Sequence, residues 1–158
     1  MPVLSLADAA AVLPPRGVLM GLDLGTKTIG VAACDPDRRV AAPVETISRM
    51  RFKLDAARIL ELAAERRAAG LVLGLPINMD GSEGPRAQST RAFARNLARL
   101  TELPIALWDE RWSTAAVERA LIAADASRAK RKAVIDQHAA AYILQGALDR
   151  LSREQRGR

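Results

Sequence analysis

The hydrophobic pattern of the chain changes near residue 51, and this change constrains the fold more than any other feature. Before it, short apolar runs separated by turn residues predict three consecutive strands, over 18–25, 29–34 and 39–47. After it, helical periodicity alternates with short continuous apolar runs, which are typical of strands buried on both faces. Hairpin succession followed by strand–helix alternation predicts an α/β fold. We expect a mixed five-stranded sheet, three antiparallel strands and then two parallel ones, with helices on both faces.

Turn and cap residues delimit the elements of the second half. We predict strands over 71–75 and 104–108, and helices over 51–69, 85–100, 113–124 and 134–151. Ser113 or Thr114 can cap the third of these helices, and a basic loop over 127–132 precedes the last one. Pro43 indicates that the third strand is an edge strand or carries a bulge, because proline cannot donate a ladder hydrogen bond.

Length and composition indicate one compact domain. The chain has 158 residues, of which 49% are hydrophobic, so it can bury a core and is too apolar to be disordered. We expect the domain over 17–152, a short N-terminal extension over 1–16 and a charged tail over 153–158. The extension lacks the basic start of a signal peptide. Ser5 and Asp8 are spaced as a helix cap, so the extension is expected to be helical.

Cysteine content and hydropathy bear on the compartment. The single cysteine, Cys34, excludes an internal disulfide and is typical of the reducing cytosol. No apolar run approaches the roughly 20 residues that a membrane helix needs. The sequence therefore predicts a cytoplasmic protein without a membrane span.

The chain is basic. Lysine and arginine number 24 against 18 for aspartate and glutamate, a formal charge of +6. This balance favours a polyanionic partner, nucleic acid first and an acidic membrane surface second, although a basic protein without such a partner fits equally well. Two alternatives account for the two basic clusters: they contact phosphates, or they are solvated faces. These clusters are Arg91, Arg95 and Arg99 on one predicted helix, and Arg128, Lys130, Arg131 and Lys132 in the predicted loop.

Several acidic residues occupy positions where an unpaired carboxylate is costly or where ligand sites gather. Asp23 interrupts an apolar strand, which is costly unless the carboxylate is paired, hydrogen-bonded or bound to a metal. It could also be a turn aspartate at the strand end. Asp109 and Glu110 follow the 104–108 strand, at the edge of an α/β sheet where ligand sites gather. Adjacent strand residues point to opposite faces, so one of the two can face such a site while the other pairs locally with Arg111.

Asp136 is the third acidic candidate, on the last predicted helix. It shares the apolar face of that helix with Ala140 and Ile143, although an early position also suits a carboxylate that stabilises the helix N-terminus. His138, the single histidine, falls on the polar side and is expected at the surface. Three carboxylates from separate elements, without a catalytic histidine or cysteine, are typical of a site for hard divalent cations such as Mg²⁺ or Mn²⁺.

Beside Asp23, the turn that contains Thr26 and Lys27 offers hydroxyl, backbone N–H and ammonium groups that could hold a phosphate. A plain hairpin turn is the alternative. Two divalent ions about 4 Å apart can activate a water and stabilise the leaving oxygen of a phosphodiester. Basic residues around an acidic metal site are the charge distribution expected of a nuclease.

Four segments resemble the bacterial YqgF/RuvX family: GLDLGTKTIGVA (21–32), GLPINMDGSEGPRAQ (74–88), DERWST (109–114) and SRAKRKAVIDQHAAAYILQGALD (127–149). The resemblance extends over nearly all of residues 18–149. It implies a ribonuclease H-like fold and a metal-dependent endonuclease that hydrolyses phosphodiester bonds. The family is described both as the nuclease that processes the 5′ end of pre-16S ribosomal RNA and as a Holliday junction resolvase.

The resemblance also implies roles for individual residues. Its acidic positions fall on Asp23, Glu110 and Asp136, which would be both the catalytic residues and the ligands of Mg²⁺ or Mn²⁺. Related resolvases carry further acids at positions that correspond here to residues 74–76 and to Ala139, so this site has three carboxylates and not four. The residues expected to bind the substrate backbone are Thr26, Lys27, Asn78, Ser82, Arg86, Arg111, Arg128, Lys130, Arg131 and Lys132.

Several functions remain open at this stage. The leading one is processing of pre-16S rRNA within a ribosome precursor, and the alternatives are resolution of DNA junctions and a non-catalytic nucleic-acid-binding factor associated with the ribosome. An ATPase of the actin-like type would need a second such domain. The sequence does not decide between a monomer and a homodimer.

Overall fold

The structure is a computed structural model that describes the backbone of residues 3–112 and 128–156, and the side chains of 3–111 and 138–154. Its strands are β1 (Val3–Ser5), β2 (Leu19–Leu24), β3 (Thr28–Cys34), β4 (Ala41–Ser48), β5 (Gly70–Leu75) and β6 (Ile105–Asp109). Its helices are α1 (Leu6–Val12), α2 (Phe52–Glu65), α3 (Pro85–Ala98) and α4 (Arg128–Arg156), and a 3₁₀ turn spans Glu110–Trp112.

One mixed sheet has the strand order β1-β6-β5-β2-β3-β4. The β2–β3 and β3–β4 pairs are antiparallel, whereas β5 is parallel to β2 and β6 is parallel to β5. The predicted α/β class and the mixed sheet are therefore confirmed. β4 is an edge strand, and its pairing with β3 shifts register beside Pro43, as the proline predicts.

The expectation of five strands is wrong by one. Val3–Ser5 forms β1, which pairs in parallel with β6 from Val3 opposite Ile105 onward. Three residues are too few for a periodicity signal, and their pairing depends on the otherwise open edge of β6. The helical part of the expected extension is present as α1, and the Ser5 hydroxyl caps it by accepting a 3.1 Å hydrogen bond from the Asp8 N–H.

The predicted basic loop over 127–132 is also corrected, because residues from Arg128 onward are helical and begin α4. Alanine, lysine and arginine are favourable helix formers, so the charge cluster continues the helix and does not interrupt it. At its other end α4 continues past the predicted boundary at Leu151 to Arg156, and an ion pair of 3.1 Å joins Arg150 and Glu154 one turn apart. The helix predicted over 113–124 lies outside the described residues.

The two faces of the sheet carry different cores. Helices α2 and α3 cover one face, whose buried strand residues are large: Met20, Leu22, Leu24, Ile29, Leu71, Leu73 and Ile105. Helices α1 and α4 cover the other face, where α4 packs across β2, β3 and β4. None of the described helices is long and apolar enough to cross a membrane.

Small residues on the second face allow α4 to approach the strands closely. A Cβ at Gly21 of β2 would lie 2.7 Å from the Leu144 Cβ and 3.1 Å from the Ala140 carbonyl oxygen. Glycine is therefore required for this helix–sheet distance. The edge at which β2, β5 and β6 end thus lies beneath the middle of α4, from Ala140 to Gly146, and this edge carries the acidic residues.

Candidate active site

Asp23 stands at the end of β2 on the face that α4 covers. Its neighbours Leu22 and Leu24 both belong to the opposite core, so the alternation of the strand turns Asp23 toward α4. Its partner across the β2–β3 ladder is Gly30. A Cβ at Gly30 would lie 3.7 Å from the Asp23 Cβ and 3.5 Å from the Ala140 Cβ. Asp23 therefore lies beside the part of α4 that contains Ala140.

Glu110 reaches the same face from β6. Its side chain is buried and lies over Gly74, where an added Cβ would be 3.0 Å from the Glu110 Cγ and 3.1 Å from its Cδ. Gly74 follows Leu73, which pairs with Leu22, just as Asp23 follows Leu22. Gly74 and Asp23 are therefore neighbours across two parallel strands, and the two carboxylates come to one region beneath α4.

Asp109, by contrast, is paired with a neighbouring arginine. Its carboxylate makes an ion pair with the Arg111 guanidinium, with distances of 2.7 Å to Nη2 and 3.0 Å to Nε, and also accepts the Arg111 backbone N–H at 2.9 Å. This is the local pairing left open by the sequence. Of the two adjacent acids, Glu110 faces α4 and Asp109 is engaged by Arg111.

Asp136 lies on α4 one turn before Ala140. The helix backbone places it on the Ala140 side of α4 and closer to the helix N-terminus, while its side chain lies outside the described set. Among the described side chains, no three of histidine, cysteine, aspartate and glutamate are grouped as metal ligands. The structure thus brings together Asp23 and Glu110, and positions the backbone of the third predicted acid nearby.

The turn between β2 and β3 is held by two arginines. The Arg49 Nη1 donates to the Gly25 carbonyl at 2.7 Å, and the Arg86 Nη2 donates to the Leu24 carbonyl at 3.1 Å. Thr26 and Lys27, predicted to bind phosphate, are exposed on this turn. Arg86, predicted to bind substrate, thus contacts the end of β2. Arg49 was not predicted at this turn, because no motif distinguishes it from other arginines. Its guanidinium lies 5.8 Å from the centre of the Phe93 ring.

The loop after β5 is closed by its own polar groups. The Asn78 side-chain amide donates to the Ser82 hydroxyl at 3.0 Å, and that hydroxyl donates to the Asp80 carboxylate at 2.6 Å. The Ser82 hydrogen bonds lower the pKa of Asp80, and the nearby Arg111 charge lowers it further. Asn78 and Ser82, both predicted to bind substrate, therefore first serve to hold this loop in shape.

Arg111 is four-fifths buried, with 21% of its side chain exposed. Its hydrogen bond to Asp109 raises its pKa, so the guanidinium stays charged. Its Nη1 lies 3.5 Å from the Met79 carbonyl oxygen. Arg111, which the sequence predicts to bind substrate, thus links the 3₁₀ turn to the loop after β5.

The other basic residues separate into two groups. Arg128, Lys130, Arg131 and Lys132 lie on the first turns of α4, the helix that carries Asp136, and their side chains lie outside the described set. On α3, by contrast, Arg91 makes a bidentate ion pair with Glu83, at 2.6 and 2.8 Å. Arg91 and Arg95 line a separate cleft of about 480 Å³ with Leu4, Leu75 and Leu107. Asp109 also lines this cleft, so Arg91 and Arg95 lie on the Asp109 side of β6 and not beside Glu110 and Gly74.

His138 is half-buried on α4, and its ring lies edge-on to the Tyr142 ring with 6.5 Å between centroids. Among the described side chains, it belongs to no cluster of three or more potential metal ligands. The contact that the structure gives it is the aromatic one with Tyr142.

Comparison with known proteins gives both relatives and a fold. The sequence model of the RuvX family, described as Holliday junction resolvase, matches residues 17–150. A protein of Rhodopseudomonas palustris (strain BisA53) is 76% identical over 151 residues, which cover 96% of this chain and 93% of the relative. A protein of Bradyrhizobium sp. (strain ORS 278) is 73% identical over 151 residues, which cover 96% and 94%. Both relatives bear the name "Putative pre-16S rRNA nuclease".

Among solved structures, the chain is similar to T. thermophilus RuvC in complex with Holliday junction substrate, with a TM-score of 0.52 at 15% identity. The superposition covers 84% of this chain and 93% of the RuvC chain. At this identity the likeness shows the fold alone.

The mixed sheet, the covering helix α4 and the likeness to RuvC define a protein of the ribonuclease H-like fold. Its sequence relatives then place it more narrowly. The chain belongs to the RuvX family, as its motifs predict, and is a nuclease, a hydrolase that acts on phosphodiester bonds.

Proposed function

We propose that the protein is a divalent-metal-dependent endonuclease of the cytoplasm that processes the 5′ end of pre-16S ribosomal RNA in a ribosome precursor. The observation that carries the proposal is the position of Glu110, whose buried carboxylate lies over Gly74 on the same face as Asp23. The substrate follows the name of relatives that are more than 70% identical over nearly the whole chain.

The residues present fit a hard divalent cation such as Mg²⁺ or Mn²⁺. Carboxylate oxygens are the ligands that these ions prefer, and the absence of a side chain at Gly74 leaves room for the Glu110 carboxylate. Asp23, Glu110 and Asp136 would hold the metal. When bound, a cation in such a site activates water and stabilises the leaving oxygen of a phosphodiester.

The surrounding residues bind and orient the substrate. Thr26 and Lys27 are exposed on the turn that follows Asp23, and Arg86 donates to the Leu24 carbonyl beside this turn, so their donors can contact backbone phosphates there. Arg128, Lys130, Arg131 and Lys132, on the first turns of α4, are proposed as further phosphate contacts. Burial of Glu110 keeps bulk water away from one side of the site. The expected products carry 5′-phosphate and 3′-hydroxyl ends.

Two neighbouring acids provide a matched test. Wild-type protein and the variants Asp23→Asn, Glu110→Gln and Asp109→Asn are incubated with an extended pre-16S transcript, with Mg²⁺, Mn²⁺ or EDTA. We expect the first two variants to lose cleavage by a factor on the order of 10³. Asp109→Asn should lose less than about tenfold, because its carboxylate faces Arg111. Equal loss in Asp109→Asn and Glu110→Gln would contradict the assignment of Glu110.

The description of the family as Holliday junction resolvase favours DNA junctions as a second candidate substrate. A four-way DNA junction in the same reactions tests it, since symmetric cleavage of two strands would need a homodimer. Sedimentation of the protein with the junction then distinguishes monomer from dimer. If neither substrate is cut and salt-sensitive binding is unchanged by Asp23→Asn, the protein is a non-catalytic binding factor and the proposed function is wrong.

A further inference from the structure

Met79 is the most exposed of the large hydrophobic side chains in the described part of the chain, at 83%. A single exposed apolar side chain is common on protein surfaces and needs no explanation by itself. Other exposed apolar residues, such as Leu100 at the end of α3, follow that rule. Met79 differs because of the loop that carries it and the place where that loop is attached.

The loop of Met79 is closed by hydrogen bonds on both sides of the methionine. The Asn78 N–H donates to the Ser82 carbonyl at 2.9 Å, and the Gly81 N–H donates to the Asn78 carbonyl at 2.8 Å. The Ser82 N–H donates to the Asp80 carboxylate at 2.9 Å, in addition to the side-chain bonds described above. Gly81 has a φ of 91°, which a side chain rarely permits. The loop therefore presents an apolar side chain to solvent from a fixed backbone.

The same loop is joined to the acidic site through one arginine. Arg111 directly follows Glu110, is held by Asp109, and reaches the Met79 carbonyl with its Nη1. A Cβ at Gly81 would also lie within 3.8 Å of that nitrogen. The Arg111 side chain thus links the Met79 backbone to the position next to Glu110, on the edge of the sheet where β5 and β6 end.

We propose that Met79 contacts a nucleotide base of the bound substrate and unstacks it from its neighbour, beside the phosphodiester that is cleaved. The inference rests on the proposed function, because it requires a nucleic acid at the acidic site. Lys27 is exposed on the turn that follows β2, and Arg86 donates to the Leu24 carbonyl at the end of that strand. The loop of Met79 follows β5, the neighbour of β2 in the sheet, so a strand bound at these basic residues would pass beside the loop. Apolar side chains inserted between base steps are a recurrent means of opening a stack. A preorganised loop loses little conformational entropy on binding.

The test measures base stacking without cleavage. All proteins carry Asp23→Asn and are studied in EDTA, so that the probe stays intact. The probe is a set of RNA hexanucleotides with 2-aminopurine at each position in turn, whose fluorescence rises when the base is unstacked. The added substitutions are Met79→Ala, Met79→Leu and, as a control on the opposite edge of the sheet, Leu100→Ala.

We expect 2-aminopurine fluorescence to rise at one position with the parent protein, Met79→Leu and Leu100→Ala. Met79→Ala should lose this rise and bind about tenfold more weakly, while the dependence of binding on salt stays the same, because phosphate contacts are unchanged. Equal fluorescence and affinity for Met79→Ala and the parent, or an equal loss for Leu100→Ala, would overturn the proposal.

The outcome is separable from that of the proposed function. A fluorescence rise that depends on Met79, in a protein whose wild type cuts no transcript, would retain the base contact and reject the nuclease assignment. Cleavage of the transcript without any dependence of fluorescence on Met79 would retain the nuclease assignment and reject the base contact.

Discussion

The two faces of the sheet use the same strands for different purposes. Toward α2 and α3, the strands present large aliphatic side chains that are almost fully buried, such as Leu22 and Leu73. Toward α4, the next residue along each of these strands is Asp23 or Gly74. A shift of one residue therefore separates a conventional core from the acidic site.

The difference shows how the site is positioned. On the α2 and α3 face, tight packing stabilises the fold, and a lost methyl group costs free energy without affecting a carboxylate. On the α4 face, glycines at 21, 30 and 74 bring the helix close to the strands and leave space for Glu110. We expect substitutions on the first face to change mainly stability, and substitutions on the second to change mainly activity.

The largest expected effect is that of Leu73→Ala. Leu73 has no exposed surface, and truncation of such a residue lowers the free energy of unfolding by about 2–5 kcal/mol. Urea denaturation followed by circular dichroism measures this loss. At urea concentrations below the unfolding midpoint of the variant, the folded protein should cleave the substrate at a rate within about threefold of wild type. A large loss of activity in the folded variant would contradict the separation of the two faces.

Gly74→Ala, one residue further along β5, is the matched change on the other face. The new Cβ would lie 2.7 Å from the Ile143 Cδ1 and 3.0 Å from the Glu110 Cγ, so the Ile143 side chain has to shift and Glu110 has to give by a few tenths of an ångström. We expect cleavage to fall by a factor on the order of 10², with a loss of about 1–3 kcal/mol in the free energy of unfolding. Both quantities come from the same preparations as for Leu73→Ala. Wild-type activity in Gly74→Ala would show that the position of Glu110 is not needed.

Much of the fold could be predicted from the sequence because it depends on local patterns. Short apolar runs identified β2 to β6, and helical periodicity identified α2 and α3. β1 could not be found in this way, since three residues carry no period and their pairing depends on the edge of β6. The helical start of α4 was missed for a different reason: a run of basic residues was interpreted as a loop although these residues favour helix.

The candidate site was predictable in part. The motifs identified the acidic residues, but adjacency alone could not decide between Asp109 and Glu110, because the face covered by α4 is a tertiary property. One signal was available in the glycines: Gly21 lies two residues before Asp23, and therefore on the same face. The role of Gly74 could not be foreseen, because it depends on how the 3₁₀ turn returns Glu110 over β5.

Gln145 connects the α4 face to the sheet edge, and its loss should have a smaller effect. Its side-chain oxygen accepts the Ala41 N–H at 2.9 Å, and its amide nitrogen donates to the Arg39 carbonyl at 3.0 Å. Gln145→Ala removes both bonds, and we expect a loss of about 1–2 kcal/mol in the free energy of unfolding. Hydrogen exchange at the Ala41 amide should accelerate. Asp149→Ala is the control, since Asp149 contacts this group through a single 3.2 Å bond to Gln145. Equal exchange at Ala41 in both variants would contradict the role of Gln145.

The smallest effect concerns an ion pair on the α2 side of the sheet. The Arg58 guanidinium donates two hydrogen bonds to the Glu45 carboxylate, at 2.7 and 2.9 Å, and holds the pKa of Glu45 below its ordinary value of 4.5. A carboxyl whose pKa is lowered by folding stabilises the protein above its unfolded pKa, and the contribution is lost as the pH falls through the folded value. About a third of each side chain is exposed, so the contribution is below about 1 kcal/mol.

Glu45→Gln tests this ion pair through its pH dependence. At pH 7 the wild type should be more stable than the variant by a few tenths of a kcal/mol up to about 1 kcal/mol. The difference should shrink as the pH falls below about 4.5 and disappear once Glu45 is protonated in the folded state. Urea midpoints of both proteins between pH 7 and pH 3 measure it. A difference that stays constant or grows toward low pH would show that Glu45 stabilises this face by packing and not by charge.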